Sequence, residues 1–206
     1  MKRTIVLIAV AAVFCALLVN GALITIEIEA VVDSVSDERN YLEGKISPGD
    51  LITGFYRYES TTPDSNPLEK GGRYEHTTAL HGIFLTVGGL DFETNPGNVG
   101  FLIEIENDHP PDDNYFLLSY NNDVLSNGTP VNNISWWLYD PTGNVLSSDV
   151  LPSSAPILNE WQINHLRIET LRMFSIDAHV TSAIPEPCSI LLFGLCGVTL
   201  VRRNTK

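Results

Sequence analysis

Three aspartates, Asp108, Asp112 and Asp113, lie within one short stretch that also contains two prolines. Clustered carboxylate oxygens are the ligands that a hard cation such as Ca²⁺ prefers, and extracellular calcium sites often bind weakly. The spacing differs from that of an EF-hand loop, and a solvated turn shaped by proline would contain the same residue types. The pattern is therefore consistent with a calcium site or with a polar loop, and no other cofactor is expected.

The three tryptophans, Trp136, Trp137 and Trp161, offer flat apolar rings on which a sugar could stack. Adjacent residues of a β-strand point to opposite faces of the sheet. We therefore expect one member of the Trp136–Trp137 pair to pack in the core and the other to lie on the outer face. These residues predict a carbohydrate-binding platform as one alternative function.

No complete catalytic set can be assembled from the sequence. Glu104 and Glu106 alternate on one strand face, but they could flank a glycosidic bond only within a cleft and with a perturbed pKa. His76 and His81 are five residues apart, so a shared metal site would require a bend in the strand. Neither a Gly-x-Ser-x-Gly elbow nor a phosphate-binding glycine loop occurs. The chain is expected not to be an enzyme, and a secreted hydrolase is the weaker alternative.

Charge and cysteine are distributed unevenly along the 206 residues, whose net charge is −13. Residues 23–183 contain 24 acidic and seven basic side chains, which gives this body a formal charge of −17. Such a balance excludes a nucleic-acid binder, which needs a basic face. All three cysteines lie outside the body, so it has neither a disulfide nor a thiol nucleophile.

Apolar and polar residues alternate along most of the body, which is the pattern of half-buried strands. Alternation is clearest at 24–30, 101–106, 166–170 and 174–178, and shorter strands are predicted at 51–58, 83–87, 115–120 and 134–139. The segment 159–171 lacks a helix cap and is rich in β-branched residues, so we assign it as strand. Turn signals such as Gly71-Gly72 and Gly88-Gly89 separate these runs. The body is therefore predicted to be an all-β domain of β-sandwich or jelly-roll type.

The N-terminal segment has the pattern of an export signal. Lys2 and Arg3 precede an uninterrupted apolar run over 5–19, and the small residues Gly21 and Ala22 follow it. We interpret residues 1–22 as a cleaved signal peptide that directs the chain to a Sec-type export machinery.

The C-terminal segment, 184–206, has three features in order. The tripeptide Pro185-Glu186-Pro187 precedes 14 uncharged residues at 188–201, and Arg202 and Arg203 follow. At about 1.5 Å per residue, this run is about 21 Å long, which is short for a hydrocarbon core of about 30 Å. Basic clusters at both ends of the chain belong on the cytoplasmic side, so the body is expected to lie outside the inner membrane.

This order of tripeptide, short apolar helix and arginine cluster resembles the PEP-CTERM sorting signal of bacterial exported proteins. The resemblance to the sorting signal covers residues 184–206. It implies that an exosortase-type membrane transpeptidase recognises the tail as its substrate. It also implies that the protein is transiently anchored in the inner membrane by the C-terminal helix and then reaches the cell surface or the extracellular space.

The expected function is that of an exported cell-surface or extracellular-matrix protein without catalysis of its own. A carbohydrate- or calcium-binding module in extracellular polysaccharide is the alternative that the tryptophans and the aspartates leave open. No nucleic-acid partner is expected, because the body is strongly acidic.

Overall fold

A computed structural model describes residues 21–66, 70–109 and 111–186 of the chain. All but the last two residues of the predicted signal peptide lie outside these ranges, as do Pro187, Arg202 and Arg203 of the predicted sorting tail. Within the described ranges, no helix is long and apolar enough to cross a membrane.

The described residues form an all-β domain, as the alternation predicts. The one helical element among them is a short 3-10 helix at Leu158–Glu160. It overlaps the beginning of the segment 159–171, and the strand predicted for that segment is confirmed over Ile163–Thr170. The ten strands are β1 (Leu23–Ser36), β2 (Leu51–Glu59), β3 (Gly71–His76), β4 (Gly82–Val87), β5 (Leu90–Glu93), β6 (Gly100–His109), β7 (Asp112–Asn121), β8 (Asn133–Asp140), β9 (Ile163–Thr170) and β10 (Phe174–Pro185).

All ten strands belong to one antiparallel sheet in the order β3-β6-β7-β8-β9-β10-β1-β2-β4-β5. The sheet curls so that strands distant in this order face each other. Tyr115 of β7 donates a hydrogen bond to the hydroxyl of Tyr56 of β2 at 3.2 Å. A bridge between Thr94 and Asn122 joins the chain after β5 to the chain after β7. The apolar faces are thereby enclosed between the two halves of the sheet.

Large side chains fill the space between these halves. Trp136 is fully buried, and the rings of Tyr56 and Tyr115 each lie about 6.0 Å from its ring in edge-to-face geometry. Such aromatic pairs stabilise a core beyond the apolar area that they bury. Because the body lacks cysteine, its stability must come from this packing and from the sheet hydrogen bonds.

Two predicted glycine turns have different outcomes. Gly88 and Gly89 form the two-residue turn between β4 and β5, with φ values of +58° and +71° that favour glycine. The turn predicted at Gly71-Gly72 is wrong, because both residues pair with β6 as part of β3. A Cβ on Gly72 would lie 2.4 Å from the carbonyl oxygen of Asp149. Glycine is therefore required here because the loop that contains Asp149 packs closely against the strand, and not because the chain turns.

The two ends of the domain lie next to each other, because β1 pairs with β10 in antiparallel orientation. Ile26 is opposite Pro185, and the backbone N–H of Glu186 donates to the carbonyl oxygen of Thr25 at 3.0 Å. Arg57 Nη2 lies 3.9 Å from Glu186 Oε1. The first two residues of the predicted sorting tripeptide therefore contact the strands at which the domain begins.

Candidate functional site

A cleft of about 410 Å³ lies on the outer face of β6, β7, β8 and β9. The residues that alternate with its lining are buried in the core, which places the lining on the opposite face of the sheet. We call it the aromatic cleft. It is lined by Glu104, Glu106, Asn114, Phe116, Ser135, Trp137 and His165.

Sheet register aligns four of these side chains in one row across the cleft. Glu104 is opposite Phe116, Phe116 is opposite Trp137, and Trp137 is opposite His165. Directly opposed residues of an antiparallel pair have Cβ atoms about 4.5–5.5 Å apart. The row therefore places two aromatic rings side by side, with a carboxylate at one end and an imidazole at the other.

Hydrogen bonds hold the Trp137 indole in place. Its Nε1–H donates to Asn114 Oδ1 at 2.9 Å, and Asn114 Nδ2 donates to Glu106 Oε2 at 3.0 Å. The ring of Tyr139 lies 5.5 Å away, and its hydroxyl donates to Asp112 Oδ2 at 3.0 Å. A ring fixed in this way loses little conformational freedom when a ligand binds, which favours affinity.

The polar groups at the ends of the cleft are also held by partners. Glu104 forms an ion pair with Arg73, whose Nε lies 2.9 Å from the carboxylate of Glu75. At the other end, His165 Nε2 lies 3.0 Å from Asp177 Oδ1, which also accepts a hydrogen bond from Arg167. The cleft thus combines an apolar floor with carboxylate, amide and imidazole groups suited to binding hydroxyls.

The three tryptophans do not form one platform. Trp136 is fully buried and donates from Nε1 to Asn164 Oδ1 at 2.9 Å, whereas Trp137 is half-buried in the aromatic cleft. The prediction that one of the pair packs inside and the other lies outside is confirmed. Trp161 is only 8% exposed and lines a separate cleft beside the loop 145–157. A stacking surface built from all three residues is therefore wrong, and Trp137 alone is placed for stacking.

The three clustered aspartates have separate surroundings. Asp113 is fully buried, and its carboxylate accepts backbone N–H groups of Asp108 at 3.0 Å, Val145 at 2.8 Å and Leu146 at 2.7 Å. Asp112 accepts the hydroxyl of Tyr139, and Asp108 is exposed. Asp113 thus joins the end of β6 to the loop that contains Val145 and Leu146, which is a structural role that the sequence did not reveal.

The described ranges contain no group of three or more His, Cys, Asp or Glu side chains arranged to hold a metal ion. Calcium binding at Asp108, Asp112 and Asp113 stays a prediction from the sequence.

His76 and His81 come together because the chain bends after β3. Their ring centroids are 5.1 Å apart, and His76 is only 2% exposed. His76 Nδ1 lies 3.1 Å from Thr62 Oγ1, and Nε2 has no hydrogen-bond partner among the described residues. Burial, with a smaller contribution from His81, lowers the pKa of His76 to about 4. The His76 imidazole is thus held neutral against the rings of Tyr58 and Phe101.

Sequence reasoning missed Asn114, Phe116, Ser135 and His165 as cleft residues. Their alternate positions in predicted strands signalled an outward orientation, but alternation carries no information about which strands are neighbours. No family model matches the chain, and neither the curated proteins nor the solved structures give a match, so the proposed function depends on the geometry of the site and on the terminal segments.

Proposed function

We propose that this chain is an exported, non-catalytic cell-surface or extracellular-matrix protein that binds carbohydrate in its aromatic cleft. The β domain acts as a sandwich-like scaffold. Packing between the two facing halves of the sheet holds in place the strands that carry the cleft, β6 to β9. The observation that carries the proposal is the Trp137 indole, locked by Asn114 beside Phe116 and flanked by Glu104 and Glu106.

The chemistry of this cleft matches that of a sugar better than that of a peptide or a lipid. A pyranose has an apolar face of C–H groups that packs on an aromatic ring, and hydroxyls at its edge that donate to carboxylates. The volume of about 410 Å³ lies within the usual range for small-ligand sites. Glu104 and Glu106 each have a partner, Arg73 and Asn114. We assign both carboxylates to hydroxyl binding rather than to proton transfer.

The terminal segments support export and sorting. Basic residues flank both apolar segments in the sequence, and the domain leaves β1 and β10 side by side. Because the chain enters and leaves the domain at neighbouring positions, the N-terminal and C-terminal apolar segments can both enter the same membrane. In this proposal a Sec-type machinery exports the chain, and an exosortase-type transpeptidase acts on the tail that begins near Pro185.

Trp137→Ala is expected to weaken binding to extracellular polysaccharide at least tenfold, because the stacking surface is lost. Binding is measured on a glycan array and then by calorimetry with the glycan that binds most tightly. Because no catalysis is proposed, this glycan should be recovered unhydrolysed after the measurement. Tyr120→Ala is the matched control, since Tyr120 is 46% exposed and lies outside the cleft. Equal affinities of the wild type and Trp137→Ala would contradict the assignment of the cleft.

The mature protein is expected to lack the signal peptide and the tail, with a C-terminus near Pro185. Intact mass spectrometry of protein released from the producing cell measures both ends. Deleting 188–206 serves as the control, because this variant should be secreted without a sorting cleavage. Mature surface protein that retains Arg202 and Arg203 would count against the sorting proposal while leaving the carbohydrate proposal untouched.

A further inference from the structure

Another cleft, of about 390 Å³, lies where the β9–β10 turn meets the chain after β1. Three of the seven basic residues of the body line it: Arg39, Arg167 and Arg172. Its acidic lining residues are Glu38 and Glu169, so its formal charge is positive within a body of charge −17. We call it the arginine cleft.

Two of these arginines have no ion-pair partner among the residues that the structure describes. Within the described residues, Arg57, Arg73 and Arg167 each form an ion pair with a carboxylate, whereas Arg39 and Arg172 form none. The body has more than three carboxylates for each basic residue. Two guanidinium groups that stay unpaired in such surroundings, and that line one cleft, are available to an anionic group from outside.

The backbone that carries Arg172 is held rigidly. Arg172 has a left-handed φ of 62°, and Asn132 Oδ1 accepts both the Leu171 N–H at 3.0 Å and the Thr170 hydroxyl. The side chain of Phe174, at the end of the turn, is buried in the core. A non-glycine residue in this conformation is uncommon. Here it belongs to the three-residue turn between Thr170 and Phe174, which pair with each other.

The backbone that carries Arg39 is anchored as well. The carboxylate of Asp37 accepts the N–H groups of Tyr41 at 2.8 Å and Leu42 at 2.7 Å. Leu42 is 1% exposed and fixes the loop to the core. Both unpaired arginines thus belong to anchored backbone beside the same cleft, which reduces the entropy cost of binding.

We propose that the arginine cleft binds a carboxylate or sulfate group carried on a saccharide. Guanidinium groups bind such oxyanions through paired hydrogen bonds, which gives both geometry and charge recognition. Repulsion by the surrounding acidic surface disfavours a continuous polyanion. The ligand therefore carries an isolated charged group, and its assignment as a saccharide rests on the proposed function. This site is separate from the aromatic cleft.

Calorimetry with methyl glucuronide, glucose 6-sulfate and methyl glucoside, on protein purified from the producing cell, tests this proposal. We expect both charged sugars to bind, with affinities that fall as salt rises, and the glucoside to bind at least tenfold more weakly. Arg39→Gln with Arg172→Asn should reduce binding of the charged sugars at least tenfold. Asparagine is chosen at position 172 because it tolerates the left-handed conformation.

Control variants distinguish loss of the arginine cleft from a general loss of positive charge, from unfolding, and from binding in the aromatic cleft. Lys45→Gln with Lys70→Gln removes the same charge from other places and should leave affinity within about twofold. All three sugars and the arginine variants are also measured in a Trp137→Ala background, which removes the stacking surface of the aromatic cleft and leaves the arginine cleft intact. Failure of the carbohydrate proposal for the aromatic cleft would therefore not decide this one. Thermal melting confirms that each variant is folded.

Three results would overturn the proposal. One is unchanged affinity in the folded double arginine variant. The second is a glucoside affinity equal to that of the charged sugars. The third is inorganic sulfate binding as tightly as glucose 6-sulfate, because the saccharide would then contribute nothing.

Discussion

Trp136→Ala is expected to lower the free energy of unfolding by about 3–5 kcal/mol, the range typical of large aromatic residues cut to alanine in a core. Trp136 is fully buried between the rings of Tyr56 and Tyr115, which come from opposite halves of the curled sheet. The substitution leaves a cavity where these halves meet and also removes one of the two hydrogen-bond donors to Asn164 Oδ1, the other being the Val180 N–H.

Urea denaturation followed by tyrosine and tryptophan fluorescence measures this loss. Trp137→Ala is a matched control, since the same residue type is removed one position along but from the outer face; we expect it to cost less than about 1.5 kcal/mol. Domains are stable by only about 5–15 kcal/mol, so a loss of this size can prevent Trp136→Ala from folding. In that case Trp136→Phe provides the measurement, with an expected loss in the free energy of unfolding of roughly 1–3 kcal/mol. Equal losses at positions 136 and 137 would contradict the burial difference.

Acidification is expected to destabilise the domain through His76. Its folded-state pKa of about 4 lies below the unfolded value of about 6.5, so between these values the unfolded chain binds a proton that the native state does not. The contribution of His76 to the free energy of unfolding is therefore fully present above about pH 6.5. It falls as the pH drops toward 4, and it does not change further below that pH. Since one pKa unit corresponds to about 1.4 kcal/mol, the full loss from this residue is about 3 kcal/mol.

Comparison with His76→Gln isolates this contribution from those of the carboxylates. The free energy of unfolding of each protein is measured by urea denaturation from about pH 7.5 to 4. Over this range the wild type should lose about 3 kcal/mol more than the variant does. His81→Gln retains the buried His76 ring and should keep most of the pH dependence. A difference between wild type and His76→Gln that does not vary with pH would refute the assignment.

The strands that alternation predicts most clearly are those with one face in the core. In β7 and β8 nearly every second residue is buried, so the two-residue pattern by itself assigns the inner and outer faces of these strands. Alternation does not predict β3 and β5, and the reasons are physical. Gly71 and Gly72 have turn composition but pair with β6, and β5 is only four residues long.

The candidate sites were predictable only in part. One of Trp136 and Trp137 was expected on an outer face, but the neighbours of Trp137 in the cleft, Phe116 and His165, were not expected, since each comes from a different strand. The proximity of Arg39 and Arg172 had no local signal at all, because a loop after β1 and the β9–β10 turn meet only in the folded sheet.

Residue order alone gives the charge of the body and the orientation of most strands, and it predicts an export signal and a sorting tail, which stay predictions. These properties depend on composition or on a two-residue period, both of which are local. The tertiary structure decided which strands are neighbours and in what register, and so created the row from Glu104 to His165, the close pair of His76 and His81, and the two clefts. Register depends on contacts between residues far apart in the chain, and a local pattern does not encode the partner.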